Sequence, residues 1–340
     1  MHKPVQLARE TFVLQIKRHT VKALVLTQAN SLPVYQEAAD PILAEGEVIV
    51  TIKAAALNHR DLFVTQGKYA GIRFPIILGS DGAGICEGKE VVINPALDWG
   101  DDPRFQGKNF QILGLPRNGT LSEKIAIPAS QIYPKPHHLN WKEAAALPLA
   151  GLTAYRALFT KGRCTAGDRV LITGIGGGVA LFTLQFAKAV GAEVWVTSSS
   201  DEKIERAIAL GATGGVNYQM PDWNKQLEAA GGFDIVIDSA GGEGFGLLLK
   251  LCKSGARVVS YGGTIGAVPN FSPQILFWKQ LEVLGSTMGT EEEFGEMLAF
   301  VAEHKLHPVI DQVFSLKDGA QAFQRMEEGG QFGKIVFKVH

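Results

Sequence analysis

The sequence has little cysteine. There are three in 340 residues, Cys86, Cys164 and Cys252, with no CxxC and no Cys/His spacing. That excludes a disulfide framework and a cysteine-built zinc cluster, and it fits a reducing cytoplasm, where we expect the protein. Neither charge is in excess: 33 Lys and Arg stand against 34 Asp and Glu, a net charge of −1. Nucleic acid and anionic membrane are therefore not expected partners, because both call for a basic footprint. Long hydrophobic runs are also scarce. Val170 to Ala187 is eighteen residues without a charge, long enough to propose as a membrane span. However, Gly174, Gly176, Gly177 and Gly178 interrupt it, and its two ends differ in periodicity. Strand, glycine turn and helix explain it better. The first twenty residues lack the apolar stretch of a secretory leader and read as an extension before a first strand at Val21–Leu26.

What is present is a globular composition, 46% hydrophobic and 20% charged, in a chain long enough for about two domains. Glycine is abundant, at 39 residues, which points to tight turns and close backbone–ligand contacts. The first 140 residues have a β character. Glu47–Ala56 alternates clearly, and β-rich runs recur at Gly84–Asn94 and Leu121–Ile127. Asp98–Arg117 is polar and reads as a long surface lobe. From Arg169 short apolar strands alternate with helical patterns: Arg169–Thr173, Glu193–Thr197, Gly215–Asn217, Asp234–Ile237, Arg257–Ser260 and Leu281–Leu284. Six such strands predict right-handed βαβ units and an α/β fold with a doubly wound parallel sheet. A helix at Glu291–His304 and a final strand at Lys334–Val339 close the chain.

The run from Val170 to Ala180 is a strand entering a helix through glycines. Such a turn lets backbone N–H groups at a helix N-terminus approach a pyrophosphate. The strict GxGxxG spacing fails at Val179, whereas Gly174-x-x-Gly177-x-x-Ala180 fits, with a small residue for close helix–strand packing. The end of the second strand selects the cofactor, since a carboxylate there binds a free ribose 2′-hydroxyl and basic or small polar residues admit a 2′-phosphate. Here the strand leaves into Ser198, Ser199 and Ser200, then Asp201 and Lys203. Ser199-x-x-Glu202 fits a capping box, which assigns Asp201 to the first helical turn. The serines and Lys203 then favour NADPH.

Several motifs, in this order, resemble the medium-chain dehydrogenase/reductase superfamily, in its zinc-free quinone-oxidoreductase-like branch. They are Ala56-Leu-Asn58-His-Arg-Asp61, Pro75-Ile-Ile-Leu-Gly79-Ser-Asp-Gly82, the stretch from Ala144 to Tyr155, the glycine turn, Leu281 to Gly289, and Gly333-Lys334-Ile-Val-Phe. The resemblance implies a Rossmann domain over residues 150–288 inserted into a GroES-like, mainly β catalytic domain of residues 1–149 and 289–340, with the cofactor cleft between them. Zinc-dependent relatives carry a Cys where this chain has Asn58, a His where it has Ser80, and a third ligand near Leu149–Ala150. Asn, Ser and an apolar residue cannot supply the three converging N, S or O ligands a catalytic zinc needs. The structural-zinc lobe would fall in Asp98–Arg117, which has no Cys. The stretch over residues 84–92 is shorter than usual in the family, which implies an altered cleft rim or local fold.

Carried onto matching positions, the resemblance implies Thr153 near the nicotinamide and Gly174, Gly177, Gly178 and Val179 along the pyrophosphate. Ser198, Lys203 and Tyr218 would surround the 2′-phosphate. Ser239, Tyr261, Gly262 and Met288 would line the nicotinamide-ribose groove, with Lys334 near the cofactor. For the chemistry the candidates are Asn58, a neutral amide donor for developing oxyanion charge; Tyr69, a hydrogen-bond or proton donor; Phe63; and Asp61, either catalytic or holding the Asn58 turn. The expected activity is NADPH-dependent reduction of quinones or α,β-unsaturated carbonyls without zinc. The alternatives are an enoyl-thioester reductase and a non-catalytic NADPH-binding protein, crystallin-like or regulatory. The strand at 281–288, last in the parallel series, is expected at a sheet edge where two copies pair.

Overall fold

The computed structural model describes residues 20–339, so the extension expected over residues 1–20 lies, apart from Thr20, outside the described residues. Alternation decides the first half. In Glu47–Ala56, Val50, Ile52 and Ala54 are buried while Thr51 and Lys53 point outward, as a half-buried strand requires. This strand pairs antiparallel with Asp81–Cys86, Lys124–Pro128 and Lys334–Lys338. The last strand of the chain therefore lies against an early one, and Lys334 comes within reach of Asn58. A Cβ at Gly84 would stand 2.1 Å from the Thr51 carbonyl oxygen, so the close pairing of these strands depends on glycine there.

Two early elements differ from expectation for local reasons. Gly84–Asn94 is two strands, Asp81–Cys86 and Lys89–Ile93, joined by Glu87 and Gly88 at φ 48° and 77°. A two-residue turn with both φ positive matches the natural twist of a hairpin. The shortened 84–92 stretch is this hairpin, and none of its residues lines the large cavity described below, so the expected change of the cleft rim is corrected. Leu121–Ile127 starts its strand late, at Lys124, because Leu121 instead accepts a hydrogen bond from the Leu24 N–H at 2.8 Å.

The second half is a six-stranded, all-parallel sheet: Arg169–Ile172, Glu193–Ser198, Gly214–Asn217, Phe233–Asp238, Cys252–Ser260 and Glu282–Gly285. Across the sheet the strands run third, second, first, fourth, fifth, sixth. The order reverses between the first and fourth, and a crevice opens at their carboxyl ends. One cap differs from the sequence reading. Ser200, not Ser199, caps the helix Asp201–Ala209, accepting from the Lys203 N–H at 3.3 Å. Asp201 still begins the helix, and its carboxylate accepts from Asn217 Nδ2 at 3.0 Å.

The 98–117 lobe is held by one buried guanidinium. Arg156 donates to Glu293 Oε2 at 2.6 Å and to the carbonyl oxygens of Pro103 and Arg104 at 2.8 and 3.1 Å, and lies 4.7 Å from the Trp99 ring centroid. Glu293 also closes a capping box with Thr290 at the start of Glu291–Glu303. Removing one partner of such a pair strands the other charge, at a cost of about 3–5 kcal/mol. We expect Arg156→Met to lower the unfolding free energy by about that amount, and Arg156→Met with Glu293→Gln to recover part of it. Denaturant unfolding is the check, and an unchanged midpoint in the single variant would refute the expectation.

Candidate active site

The crevice holds a cavity of about 1240 Å³, large for a single small ligand and suited to an extended one. Its floor is the glycine turn. Gly174 and Gly176 have φ of 66° and 135°, backbone conformations that side chains disfavour. Gly177 then caps the helix Gly178–Ala189 without a side-chain hydrogen bond, leaving the first helical N–H groups available at the cavity. A Cβ at Gly177 would meet nothing within 4 Å, whereas one at Gly178 would stand 2.7 Å from Lys334 Cδ and 3.2 Å from Ala150 Cβ. The turn is thus open toward the cavity and tightly packed behind. These features fit the pyrophosphate of a dinucleotide.

All thirteen residues expected to contact a cofactor line this one cavity. At one end are Ser198, Lys203 and Tyr218, with Ser199. Lys203 Nζ donates to the Gly329 carbonyl oxygen at 3.0 Å, and burial, reinforced by Arg325, lowers its pKa. Asp201 does not line the cavity. Beside Gly174, Gly177, Gly178 and Val179, the middle is formed by Thr173 and Asp238, which share a 2.7 Å hydrogen bond, and by Ser239, Tyr261 and Gly262. Burial pushes the Tyr261 phenol up to about 12, so it remains a hydrogen-bond donor. Met288, at φ 40°, and Thr153 complete that wall, with the hydroxyl oxygen 3.9 Å from the thioether sulfur.

At the other end, Asn58, Asp81 and Lys334 form a closed buried triangle. Lys334 Nζ donates to Asn58 Oδ1 at 2.6 Å and to Asp81 Oδ2 at 2.8 Å, while Asn58 Nδ2 donates to Asp81 Oδ2 at 2.9 Å. The second Asp81 oxygen accepts from the Leu149 N–H at 2.8 Å. Asp61 does not line the cavity. Its carboxylate accepts from the Asn58 N–H at 2.9 Å and the Gly79 N–H at 3.3 Å, which holds the Asn58 turn. Tyr69 lines the cavity and is partly exposed, with the Arg60 guanidinium 5.6 Å from its ring centroid.

Sequence reasoning missed Asp81, His59 and Arg60. All three lay within the motifs it used, but no spacing rule marks them: Asp81 acts through Lys334, which is 253 residues away. His59 borders the cavity, where burial and then the Lys334 charge lower its pKa.

Zinc does not fit this donor set. Ser80 Oγ donates to the Leu113 carbonyl oxygen at 2.7 Å and accepts from Arg60 at 2.8 Å, and Asn58 and Asp81 are already bound to an ammonium. Among the described residues, no group of three His, Cys, Asp or Glu side chains could hold a metal. Two cations, Arg60 and Lys334, would also repel a dication here.

The parallel sheet, its glycine turn and the polar pocket facing it define a dinucleotide-binding oxidoreductase. Residues 44–137 match the alcohol dehydrogenase GroES-like domain, and residues 178–303 match the zinc-binding dehydrogenase family. The "Zinc-type alcohol dehydrogenase-like protein YogA" of Leptosphaeria maculans is 38% identical over 331 residues, covering 88% of this chain and 92% of that one. The "NAD(P)H oxidoreductase RTN4IP1, mitochondrial" of Danio rerio is 31% identical, covering 89% of this chain and 87% of its own. A crystal structure of an NAD-dependent alcohol dehydrogenase superposes with TM-score 0.88 at 36% identity, over 94% of this chain and 100% of that one. This chain belongs to the medium-chain dehydrogenase/reductase superfamily.

The lowered His59 pKa has a measurable sign. The unfolded chain takes up the proton first, so His59 costs stability as pH falls through the ordinary histidine range near 6.5 and below, and costs none above it. We expect its NMR titration midpoint to lie below 6.5 and to rise partway in Lys334→Met. A midpoint at or above the ordinary value in the unsubstituted protein would contradict this.

Proposed function

We propose that the protein reduces quinones or α,β-unsaturated carbonyls with NADPH and without zinc. The observation that carries this reading is one end of the cavity, where Asn58 and Ser80 occupy two positions of zinc ligands and are bonded to the Lys334 ammonium and the Arg60 guanidinium. A bound reduced nicotinamide supplies hydride. The glycine turn would hold its pyrophosphate through backbone N–H groups. Ser198, Lys203 and Tyr218 favour a 2′-phosphate, and Asp201, the one carboxylate that could select a free 2′-hydroxyl, is bonded to Asn217. The name of the zebrafish relative, an NAD(P)H oxidoreductase, agrees with this class of chemistry.

Because this donor set does not suit a zinc ion, direct ketone reduction and alcohol oxidation would lack a Lewis acid here. A conjugated acceptor takes hydride at its β-carbon, and charge spreads to an oxygen that hydrogen-bond donors can meet. Asn58, fixed by Asp81 and Lys334, shapes the wall against which such an acceptor lies. Losing it would also leave the buried Asp81–Lys334 pair short of a partner.

We propose a dimer that pairs through an edge of the parallel sheet. Glu282–Gly285 is one of the two edge strands of the parallel sheet, with Val283 40% exposed and Trp278 on the preceding helix 78% exposed. An open apolar edge is a template for its own twofold mate. In light scattering we expect a dimer, and a dilute-solution monomer would remove that part of the reading.

Two kinetic comparisons test the chemistry. Lys203→Ala and Tyr218→Phe should weaken NADPH binding and leave NADH binding nearly unaffected; equal losses for both cofactors would show that these side chains do not read the phosphate. Matched substrates test the acceptor class: an enone should be reduced faster than its saturated ketone, and the saturated alcohol should be oxidised slowest. Asn58→Ala should lower kcat for the enone at least ~10-fold, below the ~10²–10³ of an isolated oxyanion donor, with cofactor affinity little changed. If alcohol oxidation is fastest, the proposal is wrong.

A further inference from the structure

Arg60 takes no part in the Asn58–Asp81–Lys334 triangle, yet it lines the same cavity. It is 9% exposed, and its guanidinium bonds run from one nitrogen, Nη1, to Ser80 Oγ and the Leu113 carbonyl oxygen, each at 2.8 Å. Both acceptors are neutral. Nε is buried with no partner among the described residues, and Nη2, which is not sealed off in this way, makes no hydrogen bond to them and is the donor that a ligand in the cavity would meet. Asp61 is the nearby carboxylate, but its oxygens accept from the Asn58 and Gly79 N–H groups. A buried cation with an unused donor and no carboxylate bound to it is costly unless an acceptor oxygen completes its shell. The Tyr69 ring, 5.6 Å from the guanidinium carbon, adds an aromatic surface for a flat, conjugated molecule.

We propose that Arg60 is the oxyanion-binding residue of this site, receiving the enolate or phenolate oxygen of a conjugated acceptor. The inference rests on the proposed reductase activity and deepens it. When hydride from the reduced nicotinamide forms the new C–H bond at the β-carbon, the Cα=Cβ pair shifts to join Cα to the carbonyl carbon. The carbonyl π pair moves onto oxygen, where Arg60 meets the charge. Water then protonates Cα as the oxygen pair returns to re-form the carbonyl, leaving hydroxide to solvent; a bound reduced nicotinamide would be the hydride source and would end oxidised. Asn58 is less suited to this task because Asp81 and Lys334 already engage both ends of its amide. Arg60 keeps donors in reserve, and a guanidinium always carries its charge.

The test uses a readout that needs no turnover. 4-Nitrophenol titrated into the purified protein reports its own ionisation by absorbance. The unsubstituted protein should bind the phenolate in preference and lower the apparent pKa of the bound phenol by about one unit or more. Arg60→Met should abolish that shift, and Arg60→Lys should keep part of it. The Met variant is expected to fold, because Ser80 Oγ and the Leu113 carbonyl oxygen remain bonded to each other at 2.7 Å. In parallel, Arg60→Met should lower kcat for an enone by ~10²-fold with NADPH affinity unchanged, and methylguanidinium should restore part of the activity of Arg60→Ala. If the unsubstituted protein leaves the ionisation of 4-nitrophenol unchanged, or Arg60→Met shifts it equally, the oxyanion role is overturned. If the phenolate shift is present but no enone, quinone or acyl thioester oxidises NADPH, the oxyanion pocket stands and the proposed reductase activity falls.

Discussion

The buried ion pair between Lys334 and Asp81 sets the geometry of the whole cleft. Lys334 begins the last strand of the chain, Asp81 begins an early one, and both strands flank Glu47–Ala56 in one sheet. Their 2.8 Å contact therefore ties the last strand to an early one behind Asn58, beside the cavity. A buried pair of this kind is weak evidence for net stability, because desolvation offsets much of its attraction. Its effect is positional. Asp81 also accepts from the Leu149 N–H, and the Lys334 stem lies where a Cβ on Gly178 would be. One carboxylate and one ammonium thus fix the Asn58 end of the cavity against the glycine turn, which belongs to the other half of the molecule.

That arrangement changes what the site can do chemically. A metal site of this shape would hold one strong positive charge, with ligands compensating it. Here the positive charge is divided: Lys334 is neutralised by Asp81, while Arg60 has only neutral partners. The first charge organises Asn58, and the second remains available to a ligand. Asp61 supports both from beneath, since its hydrogen bond to the Asn58 N–H closes the capping box that starts the helix carrying His59 and Arg60.

Much of this was legible in the sequence, and the parts that were not share one cause. The six parallel strands could be read because each is a short apolar run beside a helical pattern, and that local signal survives burial on both faces. The glycine turn could be read because backbone geometry admits so few residues there. Strand limits were less legible where tertiary pairing decides them: Leu121 leaves its strand to bond Leu24, and Cys252 extends the fifth strand through an irregular pairing with Phe233. The cap at Ser200 shows the same limit on a smaller scale, since three adjacent serines offer equivalent side chains and only the backbone path chooses among them. At the site, Asp81, His59 and Arg60 carry no spacing signature. Their roles arise from partners brought close by the sheet order.

Composition hides the electrostatics in a similar way. A net charge of −1 over 340 residues suggests no preference for anions. The cavity is nevertheless bordered by Lys203, Arg60 and Lys334, and the acidic groups that could balance them are largely engaged elsewhere. Asp81 is paired with Lys334, Asp238 accepts from Thr173 and from the Gly241 N–H, and Asp201 faces Asn217 outside the cavity. Among the described residues, neither Lys203 at one end nor Arg60 at the other has a carboxylate hydrogen-bonded to it. A low-dielectric cleft focuses such a field, so a ligand with negative charge at one end and developing negative charge at the other would be oriented along it. On the proposed reading, the same division of labour would let an overall neutral chain hold an anionic dinucleotide and a charge-accepting substrate together.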